Sequence, residues 1–293
     1  MRKRLGVALG SGGARGSAHV GVLKVLEENG LRPDVIVGSS MGAQVGGLYA
    51  AGVGADRLSE LWRSMNKGKM VRALLPTVPW GGWSSGAEVV RTVRSLVGDR
   101  RIEDLPTDYA AVATDLQSGG PYPIRKGPLY QAIRASISVP GLFTPVWLDG
   151  HLLIDGGVSD PVPVDVARAL GAEVVVAVDV LVCPEEARLS GIPSPLFGNR
   201  PLGITPSLEA AQTRERAASR FHPSVFAVLF QMSTIFQKRV CELSLKACPP
   251  DVLLRPDFTS APPCYSAVRC GIEAGEEAAR RALPEITRLV GGA

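Results

Sequence analysis

Three short stretches of this chain carry side chains and backbone groups that could act together on a carbonyl carbon. The first is Gly38-Ser39-Ser40-Met41-Gly42. It follows the β-branched run Asp34-Val35-Ile36-Val37 and precedes a small-residue helix over 43–51. A G-x-S-x-G sequence between strand and helix forces its serine onto a sharp turn and exposes the hydroxyl. The turn glycines Gly38 and Gly42 give the permissive backbone, and a Cβ there would collide with the neighbouring strand and helix. The helix beginning just past Ser40 also aims free N–H groups and its positive dipole end at the serine oxygen. Ser40 is therefore the candidate nucleophile. Alone, the pentapeptide is a weak signal, because glycine and serine crowd into many ordinary turns.

A second stretch sharpens it. Leu5-Gly6-Val7-Ala8-Leu9 reads as a buried strand, and Gly10-Ser11-Gly12-Gly13-Ala14-Arg15-Gly16 follows at once. A helix comes next, with a plausible C-terminal cap at Gly30. In a parallel sheet the loops at the carboxyl ends of neighbouring strands lie side by side. The N–H groups of the glycine loop can then face the oxygen that turns negative when Ser40 attacks a carbonyl, as an oxyanion hole does. Nucleotide readings fail at required residues: a dinucleotide fingerprint needs glycine where Arg15 stands, and a P-loop needs a lysine the loop lacks.

A serine hydroxyl at neutral pH needs a proton acceptor. The chain has three histidines, and none is predicted at a strand end where a base would be held rigidly. His19 lies within the first helix and is expected to bond a neighbouring backbone group. His151 sits in a tight turn facing solvent, and His222 precedes a proline in a variable segment. Asp115, Asp155 and Asp179 each end a predicted strand, so position alone does not choose among them. Asp155 is favoured because Gly156-Gly157 repeats the tight-turn chemistry of the two earlier loops. A carboxylate can serve as base if partial burial raises its proton affinity and it bonds the hydroxyl directly. The plainer role for Asp155 is a turn residue bonding its own backbone.

These groups need a scaffold, and the hydrophobic pattern supplies one. Further helices are predicted over 56–65, 87–96, 129–138, 164–170, 207–220, 224–247 and 273–290. Strands are predicted over 110–115, 143–148, 152–155, 174–179 and 252–256. The run 174–179, all β-branched or small until Asp179, reads as a central strand. Strands alternating with helices predict an α/β fold, a mostly parallel sheet covered on both faces. A single domain over residues 1–293 is expected: a core over about 5–180, a variable helical excursion over 183–247, and a strand and helix over 248–293 that return to the core. Residues 183–206 are rich in Pro, Gly, Ser and Arg and read as an extended excursion. Residues 66–83 mix basic and apolar side chains with Trp80 and Trp83, the composition of a mobile cover or lipid-interface contact.

Composition bounds the rest. With 293 residues, 45% of them hydrophobic, the chain can bury a large core. A net charge of +4 is compatible with an anionic membrane surface but too diffuse to argue for nucleic acid. Aromatic residues at 5% also argue against base-stacking platforms. Cys183, Cys241, Cys248, Cys264 and Cys270 are odd in number and form no C-x-x-C pair, so reduced thiols in a cytoplasmic protein are expected. The amino terminus resembles the start of a signal peptide only over Met1 to Leu9, too short an apolar part, and a mature, soluble chain is expected.

The glycine loop at 10–16, the serine turn at 38–42 and Asp155-Gly156-Gly157, in that order, resemble a patatin-like phospholipase. Ser138-Val139-Pro140, Phe143-Thr144-Pro145-Val146 and Pro161-Val162-Pro163 resemble stretches of the same family. The similarity covers about residues 5–180, and the tail beyond Cys241 is similar to bacterial and neuropathy-target-esterase-like members. The resemblance implies a three-layer α/β/α fold and a Ser-Asp dyad without histidine, Ser40 as nucleophile and Asp155 as base. It implies an oxyanion hole from the N–H groups of Gly12 and Gly13, with Arg15 in support. It implies hydrolysis of the acyl ester bond in phospholipids or lysophospholipids, without metal or cofactor. Ser11 departs from the family, where many members carry a third glycine.

Two other readings remain on the sequence alone. An α/β-hydrolase triad of Ser40, Asp155 and His222 has the right chain order, although that fold places its serine deeper in the sheet. A catalytically silent protein could bind lipid or a partner through the Trp80–Trp83 region and the helices after Ser207.

Overall fold

The computed structural model describes residues 2–64, 84–181, 225–258 and 267–291. The expected cover at 66–83, the excursion at 183–206, the helix at 207–220 and His222 lie outside the described residues.

Five-residue apolar runs form the centre of the sheet: β1 Leu5–Leu9, β2 Val35–Ser39 and, later in the chain, Val174–Val178 are each buried end to end. Between them lie β3 Asp108–Asp115, β4 Pro121–Ile124, β5 Val146–Leu148 and β6 His151–Asp155, so that Val174–Val178 is β7; β8 is Val252–Leu254. The order across the sheet is β5-β6-β3-β2-β1-β7-β8, with β4 paired to β3 off this path. The pairs β1–β2, β2–β3, β1–β7 and β7–β8 are parallel; the pairs that β3 makes with β4 and β6, and β5–β6, are antiparallel.

The helices are α1 Ser17–Glu28, α2 Met41–Ala50, α3 Ala55–Ser64, α4 Ala87–Val97, α5 Leu129–Ser136, α6 Val164–Ala169, α7 Val225–Ala247 and α8 Ala267–Gly291. Side chains alternate across a strand, and here they feed two cores. Leu5, Val7, Leu9, Ile36, Val174, Val176 and Val178 pack with residues of α1 to α5 and α8. Ala8, Val35, Val37, Val175 and Ala177 pack on the other face with Val164 and Val166 of α6 and with Cys241 and Leu245 of α7. The layers are therefore helix, sheet, helix, as the alternation of strands and helices predicts. No helix among the described residues is long and apolar enough to cross a membrane.

Several expectations are corrected. The strand expected over 143–148 is only Val146–Leu148. β4 escapes a reading of the sequence, because Pro121 and Pro123 each remove a ladder donor and make the run look like a loop. The last helix begins at Ala267 rather than 273, and it carries Pro284 in its interior. The thiols are not all reduced: Cys270 is disulfide-bonded, while Cys241 and Cys248 are free. Pairing depends on which thiols the fold brings together, which spacing alone does not reveal.

The register of the sheet sets the site. Ser39 on β2 lies opposite Val112 on β3, and Ala113 on β3 lies opposite Asp155 on β6. β6 runs against β3 but overlaps only its last residues, Ala113 to Asp115. It therefore enters from beyond the carboxyl edge and stops level with the end of β2.

Candidate active site

Ser40 occupies the turn between β2 and α2 with φ 55° and ψ −119°. A positive φ is costly for a residue with a Cβ and is tolerated where the surroundings fix it. Here the neighbours leave no room to relax. A Cβ on residue 38 would stand 2.3 Å from the Gly42 carbonyl, and one on residue 42 would stand 2.1 Å from the Leu9 carbonyl oxygen. Both turn glycines are thus required by close backbone approach, and Gly42 clamps the serine turn against the end of β1.

The strained turn points the hydroxyl at a buried carboxylate. Ser40 Oγ donates to Asp155 Oδ2 at 2.6 Å, across 115 residues of chain. Asp155 is 1% exposed and Ser40 5%. The other carboxylate oxygen, Oδ1, accepts from the Gly157 N–H at 2.8 Å, capping the short 3₁₀ turn Gly156–Val158. The turn-residue role and the contact with Ser40 are therefore filled by different oxygens of one side chain. Gly156 and Gly157 are needed for space: a Cβ on the first would meet the Val112 carbonyl oxygen at 2.0 Å, and one on the second would meet Ser11 Oγ at 2.4 Å. Burial raises the Asp155 carboxyl to about 6, against the opposing pull of the hydrogen bonds from Ser40 and Gly157.

The glycine loop closes the third side. Gly13–Gly16 forms a single 3₁₀ turn ahead of α1, and Gly12 caps it without a side-chain bond. The Ser11 N–H donates to the Pro161 carbonyl. Among the described residues the N–H groups of Gly12 and Gly13 meet no acceptor, as expected for donors at the start of a helical turn. The loop is held beside both the serine turn and the Asp155 turn, since a Cβ on residue 16 would stand 2.1 Å from Met41 Cγ while Ser11 abuts Gly157. Arg15 is half-buried with its guanidinium 5.9 Å from the centre of the Phe258 ring.

The other sequence candidates are occupied elsewhere. Asp115 accepts from the Gln117 N–H, Ser118 Oγ and His151, and these bonds hold it below the usual carboxylate range. Asp179 takes Lys238 Nζ at 3.1 Å and Arg255 Nε at 3.3 Å. His151 is not simply turned to solvent: its ring also lies against Tyr122, 4.5 Å between ring centres and tilted by 39°. His19 Nε2 donates to the Gly10 carbonyl at 2.7 Å, and burial lowers this ring to about 4, so it is neutral and its Nε2 is engaged by the backbone.

Sequence reasoning missed the residues that hold the backbone of Ser40 and Asp155. Ser136, fully buried at the end of α5, accepts from the Ser40 N–H at 2.9 Å and donates to the Val112 carbonyl. Two residues on, the Ser138 carbonyl accepts from the Asp155 N–H at 3.0 Å. The buried Arg134 guanidinium fixes this end of α5 by donating to Ser138 Oγ, Ser85 O and Thr144 O. Among the described residues it has no carboxylate partner, and burial lowers it to about 10. The sequence carries no clear signal for them: residues two apart on a helix do not share a face, and short polar side chains are ordinary at a helix end.

A family model for patatin-like phospholipases matches residues 7–168, more than half of the chain. An uncharacterized NTE family protein of Mycobacterium tuberculosis is 44% identical over 177 residues, 60% of this chain and 49% of that one. Patatin-like phospholipase domain-containing protein 6 of Homo sapiens is 38% identical over 182 residues, 60% of this chain and 13% of that one. Lysophospholipase nte1 of Aspergillus fumigatus is 36% identical over 189 residues, 61% of this chain and 12% of that one. The chain thus spans half or less of the length of these curated relatives. With the glycine loop, serine turn and Asp-Gly-Gly turn all inside the matched stretch, the chain belongs to the patatin-like phospholipase family.

Proposed function

We propose that the protein hydrolyses carboxylic ester bonds of phospholipids or lysophospholipids through Ser40 and Asp155, working peripherally at a membrane surface. The contact that carries this reading is the 2.6 Å hydrogen bond from Ser40 Oγ to Asp155 Oδ2. A base with a proton affinity near neutrality is matched to taking a hydroxyl proton at working pH, and burial brings Asp155 to about 6.

In the proposed reaction, Ser40 Oγ attacks the ester carbonyl while its proton passes to Asp155. The carbonyl oxygen becomes the oxyanion and takes the N–H groups of Gly12 and Gly13. The tetrahedral intermediate collapses, the bond to the alcohol breaks, and protonated Asp155 returns the proton to the leaving alkoxide. Water, activated by Asp155, then cleaves the acyl-serine and releases the fatty acid. The Gly157 N–H steadies the carboxylate throughout, and Ser136 holds the nucleophile's turn.

The family match and the lysophospholipase among the relatives support a lipid substrate. Purified protein and its Ser40→Ala variant, incubated with a panel of phospholipids, lysophospholipids and p-nitrophenyl esters, test the proposal. Fatty-acid release by the parent, lost in the variant at unchanged circular dichroism, is expected. Undiminished release by Ser40→Ala rules the scheme out.

A further inference from the structure

Helix α7 presents two unlike faces. On its inner side Lys238, Cys241 and Leu245 are buried. Lys238 reaches Asp179 at the end of β7, and Gln237 Oε1 accepts from Ser11 Oγ at 3.1 Å. Ser11 is where this chain departs from the family's third glycine, so its hydroxyl ties α7 directly to the glycine loop beside Gly157. On the outer side Val228, Met232, Ile235, Phe236 and Leu243 are exposed, Phe236 by 59% and Leu243 by 67%. Among the described residues these are most of the large exposed hydrophobics, the others being Leu116 and Trp147. At 3.6 residues per turn they fall with Arg239 and Lys246 in one stripe of roughly 100° of arc.

A contiguous apolar stripe of this kind marks a surface that meets something. We propose that the outer face of α7 seats the protein on an anionic phospholipid surface; this rests on the acyl-hydrolase reading above. Two observations select a lipid surface. The charges on the stripe itself are basic, Arg239 and Lys246, while Glu242 lies at its border and pairs with Arg239 at 3.1 Å. Apolar residues with interspersed Lys and Arg are the pattern of a helix lying in a headgroup interface. Further, the helix that carries the stripe is anchored beside the site: on its opposite side Gln237 bonds Ser11, which borders the glycine loop and the Asp155 turn. Docking on the outer face would hold the glycine loop and the Asp155 turn one helix diameter, roughly 10 Å, from the surface that holds the ester.

The test uses the full chain, with Ser40→Ala as the parent for binding so that no lipid is consumed. Co-sedimentation is measured with phosphatidylcholine vesicles, with and without phosphatidylglycerol. Phe236→Ser/Leu243→Ser should weaken partitioning by at least about tenfold, because two large apolar side chains leave the interface. Arg239→Glu should lower binding only to the phosphatidylglycerol vesicles. In the active background, Phe236→Ser/Leu243→Ser should turn over monomeric p-nitrophenyl butyrate as the parent does while losing hydrolysis of vesicle lipid. Unchanged partitioning in both variants overturns the proposal. So does a dimer, seen by light scattering, that Phe236→Ser/Leu243→Ser dissociates without any vesicle binding by the parent. Vesicle binding without turnover of any ester would instead sink the hydrolase reading and leave the docking face standing.

Discussion

The Asp155 carboxylate is shared between its own turn and Ser40: Oδ1 accepts from the Gly157 N–H and Oδ2 from the Ser40 hydroxyl. With both oxygens engaged and burial nearly complete, this carboxyl is held at about 6. The consequences can be measured.

In the proposed reaction Asp155 must be ionised to take the serine proton. Ester turnover should therefore rise with pH through about 6 and level off above it. Stability should move the opposite way. The folded-state affinity of Asp155 for a proton is raised above its ordinary value of 3.8, so the folded protein binds more protons than the unfolded one between about 4 and 6. This group thus favours folding at low pH and loses that contribution as pH rises through about 6. Asp155→Asn should lower kcat by roughly 10²- to 10⁴-fold and flatten this part of the stability profile. Thermal melts and kcat measured at matched pH values check both, and a wild-type rate profile with no inflection near 6 would refute the assignment.

Ser136 joins the Ser40 N–H to the Val112 carbonyl in a place without solvent. Ser136→Ala leaves a buried donor and a buried acceptor without that partner, at a cost of about 1–3 kcal/mol. The turnover number should fall because the serine turn loses its anchor, with KM for p-nitrophenyl butyrate little changed. Ser136→Thr keeps the hydroxyl and should retain part of the kcat that the alanine variant loses. Equal kcat in the alanine variant and the parent would reduce Ser136 to a packing residue.

Gly42 and Gly13 should respond differently to alanine. At position 42 the methyl would collide with the Leu9 carbonyl, and β1 and the serine turn cannot both keep their places. At position 13 the added Cβ meets nothing within 4 Å, and the cost is that of φ +55° alone, roughly 1–2 kcal/mol. Gly13→Ala should therefore fold with a modestly lowered melting temperature, whereas Gly42→Ala should be recovered mainly as insoluble protein. Comparable soluble yields would contradict the close approach.

The triad alternative gives a separate expectation. The Ser40 hydroxyl bonds the Asp155 carboxylate directly, without an imidazole between them, and His19 is committed to the Gly10 carbonyl. His222→Ala should keep turnover within roughly twofold of the parent, since a dyad does not use an imidazole as base. A loss of several hundredfold would favour the triad.

Much of this site can be read from local chemistry. Gly38 and Gly42 around Ser40 announce a turn that only glycine can close, and the buried runs of β1, β2 and β7 announce a two-faced sheet. Asp115, Asp155 and Asp179 could not be separated that way, because each ends a predicted strand. Nor could Ser136, whose small hydroxyl looks like any other residue at a helix end.

The chain's order of residues therefore settled the serine turn, the glycine loop and the alternation that yields three layers. Tertiary structure decided which carboxylate meets the serine. β6 runs in from beyond the sheet edge and stops where Asp155 stands level with β2, while Asp179 is drawn off by Lys238 and Arg255 and Asp115 by His151 and its own turn. Proton affinity follows from desolvation and from the neighbours a group acquires on folding, and those neighbours come from segments far apart along the chain.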